Sequence, residues 1–207
     1  MALYDEIGHG YAVGRRTDPA IAAHIWDALS DAATVLNVGA GTGSYEPQDR
    51  SVVAVEPSQV MRAQRRTGSA PCVAAIAEAL PFPPSCFDAA MAVLSDHHWT
   101  DPLSGLREMA RVARRVVLFQ WDPAAIPSFW LVRDYLPEVA ELPQGPSLMQ
   151  RAQVVDGTVL PVPIPWDCAD GFFHAYWRRP HAYLDESVRR ATSVWARVGR
   201  AVEDEQG

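Results

Sequence analysis

Short apolar runs alternate along this chain with longer amphipathic stretches. Val35-Leu36-Asn37-Val38, Val52-Val53-Ala54-Val55, Cys72 to Ala75, Phe87 to Val93 and Val116 to Gln120 each read as a buried strand. Between them lie helix signals. Asp18-Pro19 places a capping side chain before a proline of the first turn, and Ile21, Ile25, Trp26 and Leu29 follow as one apolar stripe. Pro57-Ser58 opens a second helix, expected to run to about Thr67 with Met61 one turn inside it. Asp101-Pro102 opens a third, with Leu103, Leu106, Met109 and Ala110 on one face and Arg107, Glu108 and Arg111 on the other. Arg114-Arg115 leads into the fifth strand. Strand and helix in regular alternation predict an α/β fold: a doubly wound, mostly parallel sheet with right-handed crossovers and helices on both faces.

The pattern changes after Trp121-Asp122-Pro123. From residue 122 to about 183 the chain is rich in proline and aromatics, among them Phe129, Trp130, Tyr135, Trp166, Phe172, Phe173, Tyr176 and Trp177. Two readings stand side by side: an apolar wall or cap over a substrate, and a side layer whose rings are buried against the sheet. Val154-Val155-Asp156-Gly157-Thr158-Val159 carries a two-residue hairpin signal, which predicts an additional strand from Thr158 to Pro163. Asp185 then caps a helix expected to reach about Val198.

Length and charge narrow the possibilities. The chain has 207 residues, enough for one domain with a substantial core, so residues 1–207 are taken as a single unit with 122–183 as its substrate side. Its 18 basic and 25 acidic residues leave a net charge of −7, and every basic residue is arginine. Nucleic acid is therefore not expected as a partner, and a small molecule is. Cys72, Cys86 and Cys168 have no paired spacing, so neither a disulfide framework nor a metal site is expected. No apolar run approaches the length of a membrane span, and the expected location is the cytoplasm.

Chemistry concentrates in Val38-Gly39-Ala40-Gly41-Thr42-Gly43-Ser44. A buried strand that breaks into alternating glycines ends in a turn whose backbone approaches a ligand closely. The spacing is neither the dinucleotide G-x-G-x-x-G nor a P-loop. Strand 2 ends in Glu56, where a nucleoside binder holds the ribose hydroxyls. A third segment, Ala77-Glu78-Ala79-Leu80-Pro81-Phe82, follows strand 3. With these motifs in this order, the chain from about Tyr4 to Glu186 resembles the class I S-adenosylmethionine-dependent methyltransferases, in particular their small-molecule branch.

The resemblance implies a Rossmann-like sheet of order 3-2-1-4-5 and S-adenosylmethionine as cofactor. It implies Gly39, Ala40, Gly41 and Gly43 against the amino-acid part, Glu56 on the ribose, and Pro57 and Met61 along the adenine. Ala77 and Glu78 would serve the adenine amino group, because Ile76 stands where the family carries an aspartate. Leu94 and Ser95 would border the cofactor at the end of strand 4, and Tyr11 and Arg15 would cover it from the N-terminal segment. His97 and His98 follow at the carboxyl end of strand 4. Either one serves as a base on the attacking acceptor, or the pair caps a turn and packs Trp99 while the acceptor needs no protein base. The family usually closes its sheet with an antiparallel strand, and no such pattern stands in Glu203 to Gly207. Strand 5 is then expected to be covered by residues 154–163 or by a second copy in a homodimer. Two other functions are open on these residues: cofactor binding without methyl transfer, and a nicotinamide oxidoreductase.

Overall fold

The structure, a computed structural model, describes Asp5 and residues 14–198. Its centre is a parallel sheet of β1 (Thr34–Val38), β2 (Ser51–Val55), β3 (Cys72–Val73), β4 (Phe87–Val93) and β5 (Ala113–Phe119), in the order β3-β2-β1-β4-β5. The order reverses between β1 and β4, which pair in register from Val35 opposite Ala89 to Asn37 opposite Met91. That reversal opens a crevice at the strands' carboxyl ends.

Two-residue alternation sends the strands' side chains to two separate cores. Val35, Ala89 and Met91 join α1 (Pro19–Leu29) on one face, while Leu36, Val38, Ala90 and Ala92 meet α3 (Pro102–Val112) on the other. Asp18 caps α1 by accepting from the N–H groups of Ala20 and Ile21, and Asp101 caps α3 through Ser104. Ile21, Ile25 and Leu29 are fully enclosed, and each contributes roughly 1.5–3 kcal/mol of burial. Trp26 is only half-buried, its indole N–H donating to the Tyr45 carbonyl. In α3 the buried stripe is Gly105, Leu106, Met109 and Val112, so Ala110 faces outward, contrary to the periodicity reading.

Other expectations need correction. The helix after Glu56, α2, spans only Gln59–Ala63 and gives way to turns that end at Gly68, whose φ is +89°. β3 is limited to Cys72–Val73, where its pairing with β2 stops. β5 begins earlier than expected and takes in Arg114 and Arg115. The helix after Asp185, α7 (Glu186–Arg190), breaks at Ala191-Thr192 before helical structure resumes.

The expected hairpin at Asp156-Gly157 does not form. Ser147 and Gln150 make a reciprocal capping box that starts α6 (Leu148–Val154), so Val154 closes a helix. Asp156, at φ +50°, and Gly157, whose N–H donates to the Ala152 carbonyl at 2.8 Å, form its C-terminal stop. Residues 158–165 run on without ladder pairing, and Pro161, Pro163 and Pro165 remove alternate donors.

Residues 120–198 form a layer of short elements beside β5, including α4 (Trp130–Tyr135) and α5 (Glu138–Glu141). Ile126, Leu131, Val132, Val139, Phe173 and Tyr183 are its core, with Phe129, Trp130 and Tyr176 packed on them. Most of the aromatic-rich segment is therefore side-layer packing, while Tyr135, Trp166 and Trp177 are exposed. The layer is tied to the crevice through Asp170, which is fully buried. Arg15 grips it with Nε at 2.6 Å and Nη2 at 3.1 Å, and Tyr45 donates its hydroxyl at 3.0 Å. Among the described residues no helix is long and apolar enough to cross a membrane.

Candidate active site

The glycine turn takes the shape its composition demands. Gly39, Gly41 and Gly43 have φ of +67°, +53° and +95°. At Gly39 a side chain is excluded on space as well, since a Cβ would stand 2.7 Å from the Cβ and Oγ of Ser95. Behind the turn a buried ion pair joins Arg65 to Glu46 at 2.8 Å, and Arg65 also donates to the Gly41 carbonyl at 3.3 Å. Asn37 donates to the same Glu46 at 3.1 Å, which ties β1 and the turn to the segment just after α2.

Glu56 lies across the cleft with its carboxylate held from two sides. The N–H of Gly41 donates to Oε2 and that of Ser58 to Oε1, each at 2.8 Å. Burial pushes its pKa up, against the pull of those two N–H groups and of Arg62 and Arg65. Each oxygen keeps lone-pair capacity for a ligand hydroxyl.

Of the residues singled out from the sequence, Arg15, Gly39, Ala40, Gly41, Glu56, Pro57, Met61, Leu94, Ser95 and His98 line one cleft. Asn37, Thr42, Ser44, Tyr45, Val93 and Trp99 line it too. Asn37 sits inside an apolar run, a polar residue in a buried strand being the signal that marks it. Trp99 fits because Gly105 leaves room, where a Cβ would come within 2.4 Å of the indole. Tyr11 lies outside the described residues. Gly43 faces Arg65 and Glu46 instead of the cleft. Ala77 and Glu78 are not brought to it either: Ala77 is buried between sheet and α3, and Glu78 accepts from the Asp101 N–H at 3.0 Å on the outer surface.

The two histidines differ. They occupy a short 3-10 turn, Asp96–His98, whose rings lie 3.7 Å apart. His98 faces the cleft, and burial, with Arg197 and Arg15 nearby, pulls its pKa down to about 3. His97 turns to the other side, 4.2 Å from the Trp121 ring. The Trp121 N–H donates to Gln120 Oε1 at 2.9 Å, which turns the Gln120 amide nitrogen toward Asp96 and His97 Nδ1, the latter at 3.2 Å. His97 Nδ1 therefore accepts, and its proton resides on Nε2. A ring whose lone pair is already used, and whose pKa burial drives far below the ordinary value, is a poor base.

A second cavity, of about 510 Å³, lies between the outer edge of β5, α6 and residues 157–164. Leu94, at φ +49°, lines both it and the cleft. Its walls are mainly apolar, with Gln120, Arg151 and His174 among its polar members. Arg151 is enclosed and donates through Nε to Asp96 Oδ2 at 2.5 Å and through Nη1 to the Pro146 carbonyl. Nothing local in the sequence marks Arg151 or His174, since Arg151 meets Asp96 across 55 residues and the walls around His174 come from distant segments.

Comparison with known proteins bears on this geometry. The family described as "Methyltransferase domain" matches residues 36–118, the stretch from β1 to β5. A solved structure from Anabaena variabilis, assigned as a methyltransferase of an antibiotic biosynthesis pathway, is 30% identical, with a TM-score of 0.80 over 88% of this chain and 80% of that one. The chain belongs to the S-adenosylmethionine-dependent methyltransferases. A Thermotoga maritima methyltransferase, described as a possible histamine N-methyltransferase, shares the fold at 21% identity and a TM-score of 0.51, covering 66% of this chain and 69% of that one. The rice protein named 2-methyl-6-phytyl-1,4-hydroquinone methyltransferase 2, chloroplastic, is 29% identical over 117 residues, 52% of this chain. The chain spans about a third of the length of such curated relatives, 34% for the rice protein and 32% for its spinach counterpart. The cofactor of this methyltransferase family, S-adenosylmethionine, suits the residues present: a glycine turn that a Cβ would fill, an acid with spare acceptor capacity, and an arginine in the lining.

Proposed function

We propose that this methyltransferase acts on a small, partly apolar molecule seated beside the cofactor. The observation that carries the reading is Leu94, which is a shared wall of the glycine-turn cleft and of the apolar cavity. Gly39, Ala40 and Gly41, with Thr42 and Ser44, approach the amino-acid end, and Arg15 meets its carboxylate while Asp170 holds the guanidinium in place. Glu56 takes the ribose hydroxyls, and Pro57 and Met61 line the adenine. Residues 122–183 supply the acceptor side of the same domain.

When bound, S-adenosylmethionine supplies an electrophilic methyl group on sulfur. This chain's contribution is then to align acceptor and methyl group and keep water out, a positioning effect able to supply several kcal/mol of barrier lowering. His97 takes no proton in this reading. His98, neutral at pH 7, shapes the border between cleft and acceptor. The plant relatives, whose named substrate joins a hydroxylated ring to a long apolar chain, support an apolar acceptor.

Calorimetric titration with S-adenosylmethionine and S-adenosylhomocysteine, with NAD as control, tests the cofactor assignment. Micromolar binding of the first two and none of NAD is expected. Methyl-labelled cofactor offered with alkylated phenols and with hydrophilic amines then tests the acceptor class. Transfer to the amines alone would overturn it.

A further inference from the structure

We infer that the cavity beside β5 binds the acceptor as a neutral apolar body bearing a hydroxyl group, and that His174 recognises that hydroxyl. The inference rests on the methyltransferase reading for the word acceptor, and on the cavity itself for the chemistry.

Val116 and Leu118 of β5, Leu148 of α6, and Leu160, Val162 and Ile164 of the extended segment form walls that favour an apolar occupant. Two charged side chains stand in the lining: Arg151, which is paired with Asp96, and Asp122, an exposed carboxylate that accepts from the Ala124 N–H at 3.0 Å. An anionic ligand therefore finds no spare cation there; a cationic one meets Asp122 only where that carboxylate is exposed to water, and loses its hydration between the apolar walls.

His174 is the exception to this settled lining. Its ring lines the cavity and its Nδ1 is buried without a hydrogen-bond partner. Among the described residues neither of its nitrogens is engaged. An unsatisfied buried polar atom costs about 1–3 kcal/mol, and such atoms are rare enough in native structures to point to a missing partner. The ring stands among aromatics, 4.8 Å from Phe129 and 5.1 Å from Phe173 between centroids. Burial draws its pKa down to about 4, so it is neutral at pH 7 and carries one N–H and one lone pair. A ligand hydroxyl satisfies either nitrogen, as donor to the lone pair or acceptor from the N–H. An ether or a carbonyl satisfies only the N–H.

The test uses 4-butylphenol and butylbenzene, the same apolar body with and without the hydroxyl. Binding is followed by ligand-observed NMR titration, with and without S-adenosylhomocysteine. The wild-type chain is expected to prefer butylphenol by about tenfold or more, in keeping with one buried hydrogen bond. His174→Phe abolishes that preference, and His174→Gln, which keeps a hydrogen-bonding end, restores part of it. Val162→Trp fills the cavity from the extended segment, where the half-buried valine lines the cavity but not the cleft, and abolishes binding of both probes. All of these variants retain wild-type affinity for S-adenosylhomocysteine, which verifies their fold. An undiminished preference in His174→Phe, no preference in the wild type, or retained binding in Val162→Trp would each overturn the inference. Failure of the wild-type chain to bind S-adenosylhomocysteine would instead strike the methyltransferase reading, while the probe preference measured without it still decides the role of His174.

Discussion

Replacing Arg151 with methionine tests the bond that holds α6 against the turn after β4. Asp96 is 0% exposed and Arg151 2%, and they meet at 2.5 Å across 55 residues of sequence. Methionine preserves much of the apolar stem but leaves Asp96 charged and enclosed, with the Gln120 amide as its remaining side-chain donor. Removing one partner of a buried pair costs about 3–5 kcal/mol. At roughly 2–4 °C per kcal/mol for a chain of this size, the melting temperature should fall by about 6–20 °C. Removing both charges in Asp96→Leu/Arg151→Met should recover most of that loss, because no ion is then left without its counterpart. Urea denaturation at pH 7, followed by circular dichroism on wild type, both single variants and the double, measures the cycle. A single-variant loss below about 1 kcal/mol, or a double variant no more stable than the singles, refutes the reasoning.

Further outcomes are expected elsewhere in the molecule. Glu56→Gln places an amide NH₂ against one of the two N–H groups that now donate to the carboxylate; S-adenosylhomocysteine affinity should fall about 10–100-fold by calorimetry. Gly39→Ala drives a Cβ to within 2.7 Å of Ser95 at a φ of +67°, and should lower stability by about 1–3 kcal/mol together with cofactor affinity. For His174 the pKa is lowered from the ordinary 6.5 to about 4, so the unfolded chain takes up a proton that the native state refuses. Its contribution is fully present above pH 6.5, is lost as pH falls to about 4, and amounts to about 3 kcal/mol. His174→Phe should therefore flatten the stability profile between these limits relative to wild type, and an identical slope in the two proteins would count against the burial argument.

The features legible in the chain before folding are those that neighbouring residues enforce. β1, β2 and β4, the caps at Asp18, Ser58 and Asp101, the glycine turn and the acid after β2 are each written in a few consecutive side chains whose conformational limits are local. The same logic misled at Asp156-Gly157. There a turn dipeptide serves equally to stop a helix, and the decision lay with the capping box at Ser147 and Gln150. Tertiary structure alone decided that Ala77 and Glu78 face away from the cleft, that Arg15 is shared with Asp170, and that Gln120 ties up His97. It alone decided the cavity beside β5. That space exists because proline-interrupted residues 158–165 do not pair with the strand, and a void between elements far apart in sequence has no local pattern to announce it.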